Sequence, residues 1–254
     1  MYQGKKVVVV LPAYNALRTL DRTFREIPFD WVDEIILCDD ASQDGTAVLA
    51  AQLGIRELII HEQNRGYGAN QKSLYRRALD LKADIVILLH PDYQYTPKLL
   101  IPMIHLLGEG LFDVVLGSRI LGKGALEGGM PLYKYIANRI LTLIQNLLGG
   151  HKLSEYHTGY RAFTKEVLHQ IPFDRNSEDF LFDNQILAQA IYAGYHIGEI
   201  SCPTSYFPDA SSINFRRSLI YGLGVLQVSF MHFLQRKGMA QFSMFDFAKK
   251  EESL

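Results

Sequence analysis

Two cysteines in 254 residues are too few for a disulfide scaffold. Cys38 and Cys202 both sit in apolar segments, as buried thiols do, and one long-range bridge is the other arrangement open to them. The chain has no long run of charge of one sign and a net charge of −1, so it lacks the clustered basic face of a nucleic-acid-binding protein. No GK[ST] phosphate loop occurs and no full GxGxxG follows the first apolar run, which argues against P-loop enzymes and dinucleotide oxidoreductases. There is no HExxH or similar spacing, so most of the histidines read as structural. No basic stretch, apolar core and small-residue cleavage site mark a secretory signal at the N-terminus. The longest near-continuous apolar stretch, 219–234, is broken by Gln227, Ser229 and His232 and falls short of the ~20 residues that span a bilayer. The expected compartment is the cytoplasm, with peripheral contact at the inner membrane face as an option.

What the chain does have is a 48% hydrophobic content, enough to bury one full domain with an appended C-terminal element. Short runs rich in Val, Ile and Leu at 7–11, 34–38, 57–61, 85–89 and 113–116 predict strands. Segments of helical length and spacing lie between them at 19–27, 46–53, 69–81 and 97–107. That alternation predicts an α/β domain whose central sheet is mostly parallel and flanked by helices. Ligands on such sheets gather at the carboxyl ends of the strands. Five consecutive strand ends here carry polar or glycine-rich loops, at 12–15, 39–46, 64–70, 90–94 and 117–119. Beyond Gly122 a glycine-bearing stretch precedes a long amphipathic helix, with apolar residues at Tyr133, Ile136, Ile140, Leu143, Ile144 and Leu147. A further helix is expected at 182–193 and a last one from about Phe215, with a charged tail at 249–254.

Three of the loops carry chemistry. Asp39 and Asp40 end the second strand, where adjacent carboxylates can accept hydrogen bonds from a base and a ribose; Ser42, Asp44 and Thr46 also suit plain helix capping. In HPDYQ, Asp92 and Gln94 lie two apart on an extended segment and can share a hard cation such as Mg²⁺ or Mn²⁺; a polar turn ahead of Thr96-Pro97 is the alternative. The turn NRGYGAN at 64–70 could bring backbone N–H groups, or Arg65, to a phosphate.

The order VVVVLPAYN, LCDDASQDGT, NRGYGAN, HPDYQ and GSR resembles family 2 glycosyltransferases, especially the polyprenyl-phosphate sugar synthase branch, over roughly 5–212. The resemblance implies a GT-A (Rossmann-like) fold in a catalytic domain at 1–212, followed by a C-terminal helix and tail at 213–254. It implies an inverting transfer from a UDP- or GDP-linked sugar to a polyprenyl phosphate or a glycan acceptor, with Mg²⁺ or Mn²⁺. Pro12, Tyr14, Asp39 and Asp40 match positions that hold the nucleotide, and Asp92 and Gln94 match the second acid and the glutamine of a metal motif. Asp183 matches the acid that serves as general base towards hydroxyl acceptors; capping the helix that follows is its plainer role. Arg119 of GSR is the cation placed near phosphate, with Arg161, Arg216 and Arg217 as further candidates. The chain departs from the family twice. His90 stands where the first metal-motif acid is expected, so it binds donor hydroxyls or phosphate, or shifts preference towards Mn²⁺. Glu155 replaces an aspartate ahead of TGYR. A catalytically degenerate nucleotide- or partner-binding protein and a nucleotidyltransferase are the competing readings. The apolar stripe of the last helix fits either an interfacial helix on anionic lipid or packing against the catalytic domain or a second subunit.

Overall fold

The computed structural model describes residues 1–204 and 215–247. The elements run β1 (Val7–Ala13), α1 (Leu20–Arg25), β2 (Glu34–Asp39), α2 (Thr46–Gln52), β3 (Glu57–Ile60), α3 (Tyr67–Asp80), β4 (Ile85–Leu88) and α4 (Leu100–Gly108). They continue with β5 (Val114–Ser118), α5 (Gly124–Glu127), α6 (Leu132–Gly149), β6 (Arg161–Thr164), α7 (Lys165–Gln170), α8 (Phe182–Ala193), β7 (Ile197–Ser201) and α9 (Phe215–Arg236). One seven-stranded sheet has the order β3-β2-β1-β4-β6-β5-β7. The expected strands and helices are present, their ends shifted by a few residues. Pro97 opens a 3-10 turn ahead of α4 because a missing N–H costs nothing at a helix start. The boundary expected between 212 and 213, and the tail 249–254, lie outside the described residues.

Side-chain alternation along the strands builds two cores. Val8, Val10, Ile36, Val86 and Leu88 face α3, α7 and α8, whereas Val7, Val9, Leu11, Ile35 and Ile87 face α1, α2 and α4. Cys38 belongs to the first core and Cys202 to the second, so the sheet separates them and both thiols are free. Burial pushes each thiol up to about 12, leaving it inert at neutral pH.

Antiparallel β6, between β4 and β5, is the element periodicity does not reveal. Its four residues are too few to show a pattern, and pairing is set by partners roughly fifty to eighty positions away. Inserting β6 turns the chain back on itself and brings residues 155–161 to the carboxyl ends of β4 and β5.

The long helix α6 reverses the usual arrangement. Its buried residues are Asn138, Thr142, Gln145 and Gly149. Leu132, Tyr133, Ile136, Ile140, Leu143 and Leu147 face outward, Leu143 at 59% exposure and Leu147 at 70%. Its amphipathic pattern therefore marks a surface, not a core. Helix α9 packs one face on the catalytic domain and leaves another exposed. Val225, Val228, Ser229 and His232 are buried, with Val228 packing beside α8, while Leu219, Ile220, Leu223 and Phe230 stay exposed. By length and composition alone, 217–236 could cross a membrane, and only 22% of that window is buried. Counting helix residues, polar ones included, gives a longer segment than the apolar run at 219–234.

Candidate functional site

The loops at the carboxyl ends of β1, β4 and β5 and the start of α3 meet a cavity of about 870 Å³. His90, Gln94, Arg119, His157 and Asp183 are among its polar lining residues, and α6 and α9 add apolar ones, Ile140, Leu141, Leu219, Leu223 and Leu226. Tyr14, Tyr67, Lys134, Phe180 and Arg217 complete the wall.

Pro12 lies inside β1 opposite Cys38, and Tyr14 just beyond it is exposed. Asp39 is buried, with both carboxylate oxygens occupied by Ser42: one accepts from the hydroxyl and the other from the backbone N–H at 3.3 Å. Asp40 is turned into the protein. Oδ1 accepts from His61 Nδ1 at 2.7 Å and the Arg65 N–H at 2.9 Å, and Oδ2 from the Gly66 N–H at 2.9 Å. His61 Nε2 in turn pairs with Ser73 Oγ at 2.9 Å. These bonds anchor the turn ahead of α3.

The phosphate cradle that NRGYGAN suggested is not formed. The Arg65 and Gly66 N–H groups bind Asp40, and those of Gly68 and Ala69 bind the Glu178 carbonyl at 2.8 and 3.1 Å. The glycines are there for close packing. A Cβ on Gly68 would sit 2.3 Å from the Ser177 carbonyl oxygen, and one on Gly66 2.5 Å from that of Glu178. The Arg65 side chain points outward.

Asp183 lies in the first turn of α8 but makes no cap; Leu181 is the N-cap and no side chain bonds there. Its carboxylate leaves the helix for the cavity, where Oδ1 accepts from Gln71 Nε2 at 2.9 Å and Oδ2 from the Tyr67 hydroxyl at 3.0 Å. The same hydroxyl is 2.8 Å from His90 Nε2. Tyr67 is a site residue that the motif reading missed, because its partners lie 23 and 116 positions away.

Asp92 and Gln94 are both buried, Gln94 on the cavity wall, and Asp92 Oδ1 accepts the Gln94 N–H at 3.1 Å. Among the described residues no three His, Cys, Asp or Glu side chains gather to hold a metal alone. A carboxylate and an amide oxygen fit a hard divalent cation whose remaining ligands are phosphate oxygens and water.

Arg119 reaches the cavity from the end of β5. Glu155, fully buried, accepts from its backbone N–H at 2.8 Å, from Nε at 2.9 Å and from Nη2, and also from Asn138 Nδ2 at 2.8 Å. Burial alone would push the Glu155 carboxyl up, but the Arg119 guanidinium beside it holds it below the usual range. The longer acid thus keeps the arginine aimed. Arg161 is no phosphate ligand: it is fully buried and its guanidinium donates to the carbonyls of Tyr156, Thr158 and Asp183. Arg217 lines the cavity, 3.2 Å from Asp179 and over the Phe180 ring. The Arg216 side chain lies outside the described residues. His157 Nδ1 meets the Tyr221 hydroxyl at 2.9 Å, tying α9 to the site, and burial pushes its imidazole down to about 4.

The model of glycosyl transferase family 2 matches residues 8–171. A UDP-N-acetylglucosamine–dolichyl-phosphate N-acetylglucosaminyltransferase of Methanococcus voltae is 27% identical over 80% of this chain and 86% of its own. A dolichyl-phosphate hexose transferase of Haloferax volcanii is 28% identical over 80% of this chain and 84% of its own. Among solved structures, glucosyl-3-phosphoglycerate synthase from Mycobacterium tuberculosis with Mn²⁺ and UDP-glucose superposes with a TM-score of 0.67. That likeness spans 94% of this chain and 81% of the other at 20% identity, and shows the fold alone.

Proposed function

The chain belongs to glycosyl transferase family 2, and from that premise we propose that it moves a sugar from a UDP- or GDP-linked donor to a polyprenyl phosphate, with inversion at the anomeric carbon. One observation carries the reading: one cavity is lined both by His90, Arg119 and Asp183 and by apolar residues of α6 and α9. A lipid phosphate pairs the same two characters, a charged head and an apolar tail. The outward apolar faces of the same two helices suit a membrane surface, from which such an acceptor would enter.

In this reading the nucleotide lies across the ends of β1 and β2, with Pro12, Tyr14 and Asp39 beside it and Asp40 acting through the turn it anchors. Asp92 and Gln94 would hold Mg²⁺ or Mn²⁺, which when bound neutralises the departing diphosphate. An acceptor phosphate oxygen attacks the anomeric carbon as the bond to the diphosphate breaks. Arg119, held by Glu155, supplies a fixed guanidinium to the phosphate groups. An ionised phosphate needs no strong base, so Asp183 positions the acceptor and does not deprotonate it. The two dolichyl-phosphate transferases above support this choice over a glycan hydroxyl.

The deciding experiment is nucleoside-diphosphate release from a panel of UDP- and GDP-sugars, with and without polyprenyl phosphate in mixed micelles. Release that depends on the lipid phosphate is expected. Release with glycan acceptors alone would move the acceptor to a sugar hydroxyl, and no release with any donor would favour a binding protein.

A further inference from the structure

Resting on that reading, we propose that Tyr67 is a positioning residue that holds the His90 ring with its proton on Nε2, facing the phenol, and joins it to Asp183. In a neutral ring that leaves the lone pair on Nδ1. The assignment comes from counting hydrogens. The Tyr67 oxygen lies 2.8 Å from His90 Nε2 and 3.0 Å from Asp183 Oδ2, and carries one proton. An ionised carboxylate has none to give, so the phenol donates to Asp183. Its oxygen is then left to accept, and Nε2 must be the donor. With the other tautomer, two lone pairs would face each other at one of these contacts.

The far end of the chain of bonds fixes the same direction. Tyr75 donates to Gln71 Oε1 at 2.8 Å, and Gln71 Nε2 donates to Asp183 Oδ1 at 2.9 Å. Both Asp183 oxygens are therefore acceptors. Burial, reinforced by the Asp183 charge, pushes the Tyr67 phenol well above its ordinary value, so it keeps its proton. Gly159 makes room for the contact. A Cβ there would lie 2.5 Å from His90 Nε2 and 3.2 Å from the Tyr67 oxygen. The imidazole in the metal motif and the acceptor-side carboxylate thus share one phenol.

The test reads the tautomer directly, on protein without substrate or metal. Long-range ¹H–¹⁵N spectra of ¹⁵N-histidine protein are recorded at about pH 8.5, where an ordinary imidazole is neutral; His90→Gln identifies the His90 signals by their loss. The expected pattern is a protonated Nε2 and an unprotonated Nδ1 in the parent protein. It should give way to a mixture of tautomers in Tyr67→Phe and in Gly159→Ala. Loss of one hydrogen bond in Tyr67→Phe should also lower kcat/KM for the donor about ten-fold with little change in Tm. A protonated Nδ1 in the parent, or a His90 pattern unchanged in both variants, overturns the proposal. Absence of turnover with every donor would defeat the glycosyl-transfer reading and leave the spectra to decide this one.

Discussion

Asp40→Ala would remove the acceptor for three donors at once, His61 Nδ1 and the N–H groups of Arg65 and Gly66. Orphaning them should cost about 2–4 kcal/mol of stability as well as nucleotide affinity. Asp39→Ala frees only Ser42 and should leave Tm nearly unchanged while weakening nucleoside-diphosphate binding. Thermal unfolding and calorimetry on the pair check this: equal Tm losses would contradict the division of labour. Asp183→Asn should slow turnover modestly at saturating donor if the acceptor is an ionised phosphate. A positioned base for a hydroxyl acceptor would typically be worth ~10²–10⁴-fold, so a collapse of that size, with Tm unchanged, would point to a sugar hydroxyl. Removing the cation with excess chelator should abolish turnover, and added Mg²⁺ or Mn²⁺ should restore it; full activity in chelator would take Asp92 and Gln94 out of the metal role.

Among the elements, α6 and α9 are the ones whose roles depended on seeing what covers them. Leu143→Glu and Leu147→Glu change side chains that touch little of the protein, so unfolding free energy should move by less than about 0.5 kcal/mol. Co-sedimentation with phospholipid vesicles should nonetheless fall, because full burial of each leucine is worth about 1.5–3 kcal/mol. Unchanged vesicle binding, or a loss of stability, would send that face to a protein partner or to the core. His157 joins α9 to the site and titrates near 4 when folded against about 6.5 unfolded. Between those values the unfolded chain binds a proton that the folded chain does not. Stability from this group is therefore complete above pH 6.5 and lost as pH falls towards 4, by up to about 3 kcal/mol. Urea titrations across that window should give a shallower slope for His157→Gln than for the parent; equal slopes would mean the imidazole titrates normally in the fold.

On the scale of the whole molecule, loops at the strand ends and the two helices α6 and α9 line one cavity together, and the proposed donor and acceptor sites share it. A net charge of −1 gives no strong attraction to anionic lipid, so adsorption should follow apolar contact and vary little with salt. The two sites should also separate in kinetics. The double variant Leu143→Glu/Leu147→Glu should lose most turnover with long-chain polyprenyl phosphate in vesicles and keep it with a short, water-soluble prenyl phosphate. Equal losses with both acceptors would mean that these residues act on catalysis and not on access.

The strands with Val, Ile and Leu in unbroken runs were legible from the sequence, and so was the α/β alternation, because burial on both faces demands those residues locally. The polar loops at the strand ends were legible for a similar reason: chain direction places them on one rim. The destinations of polar side chains were not. Whether Asp40 faces a ligand or His61, whether Arg161 meets phosphate or backbone carbonyls that include that of Asp183, and whether NRGYGAN cradles an anion or packs on Glu178 depend on His61, Asp183 and Glu178, each 21 or more positions away. The helix pattern of α6 was equally visible in sequence, but an apolar stripe states only that water is to be avoided. The polar seam that buries Asn138, Thr142 and Gln145 settled that the stripe faces away from the core.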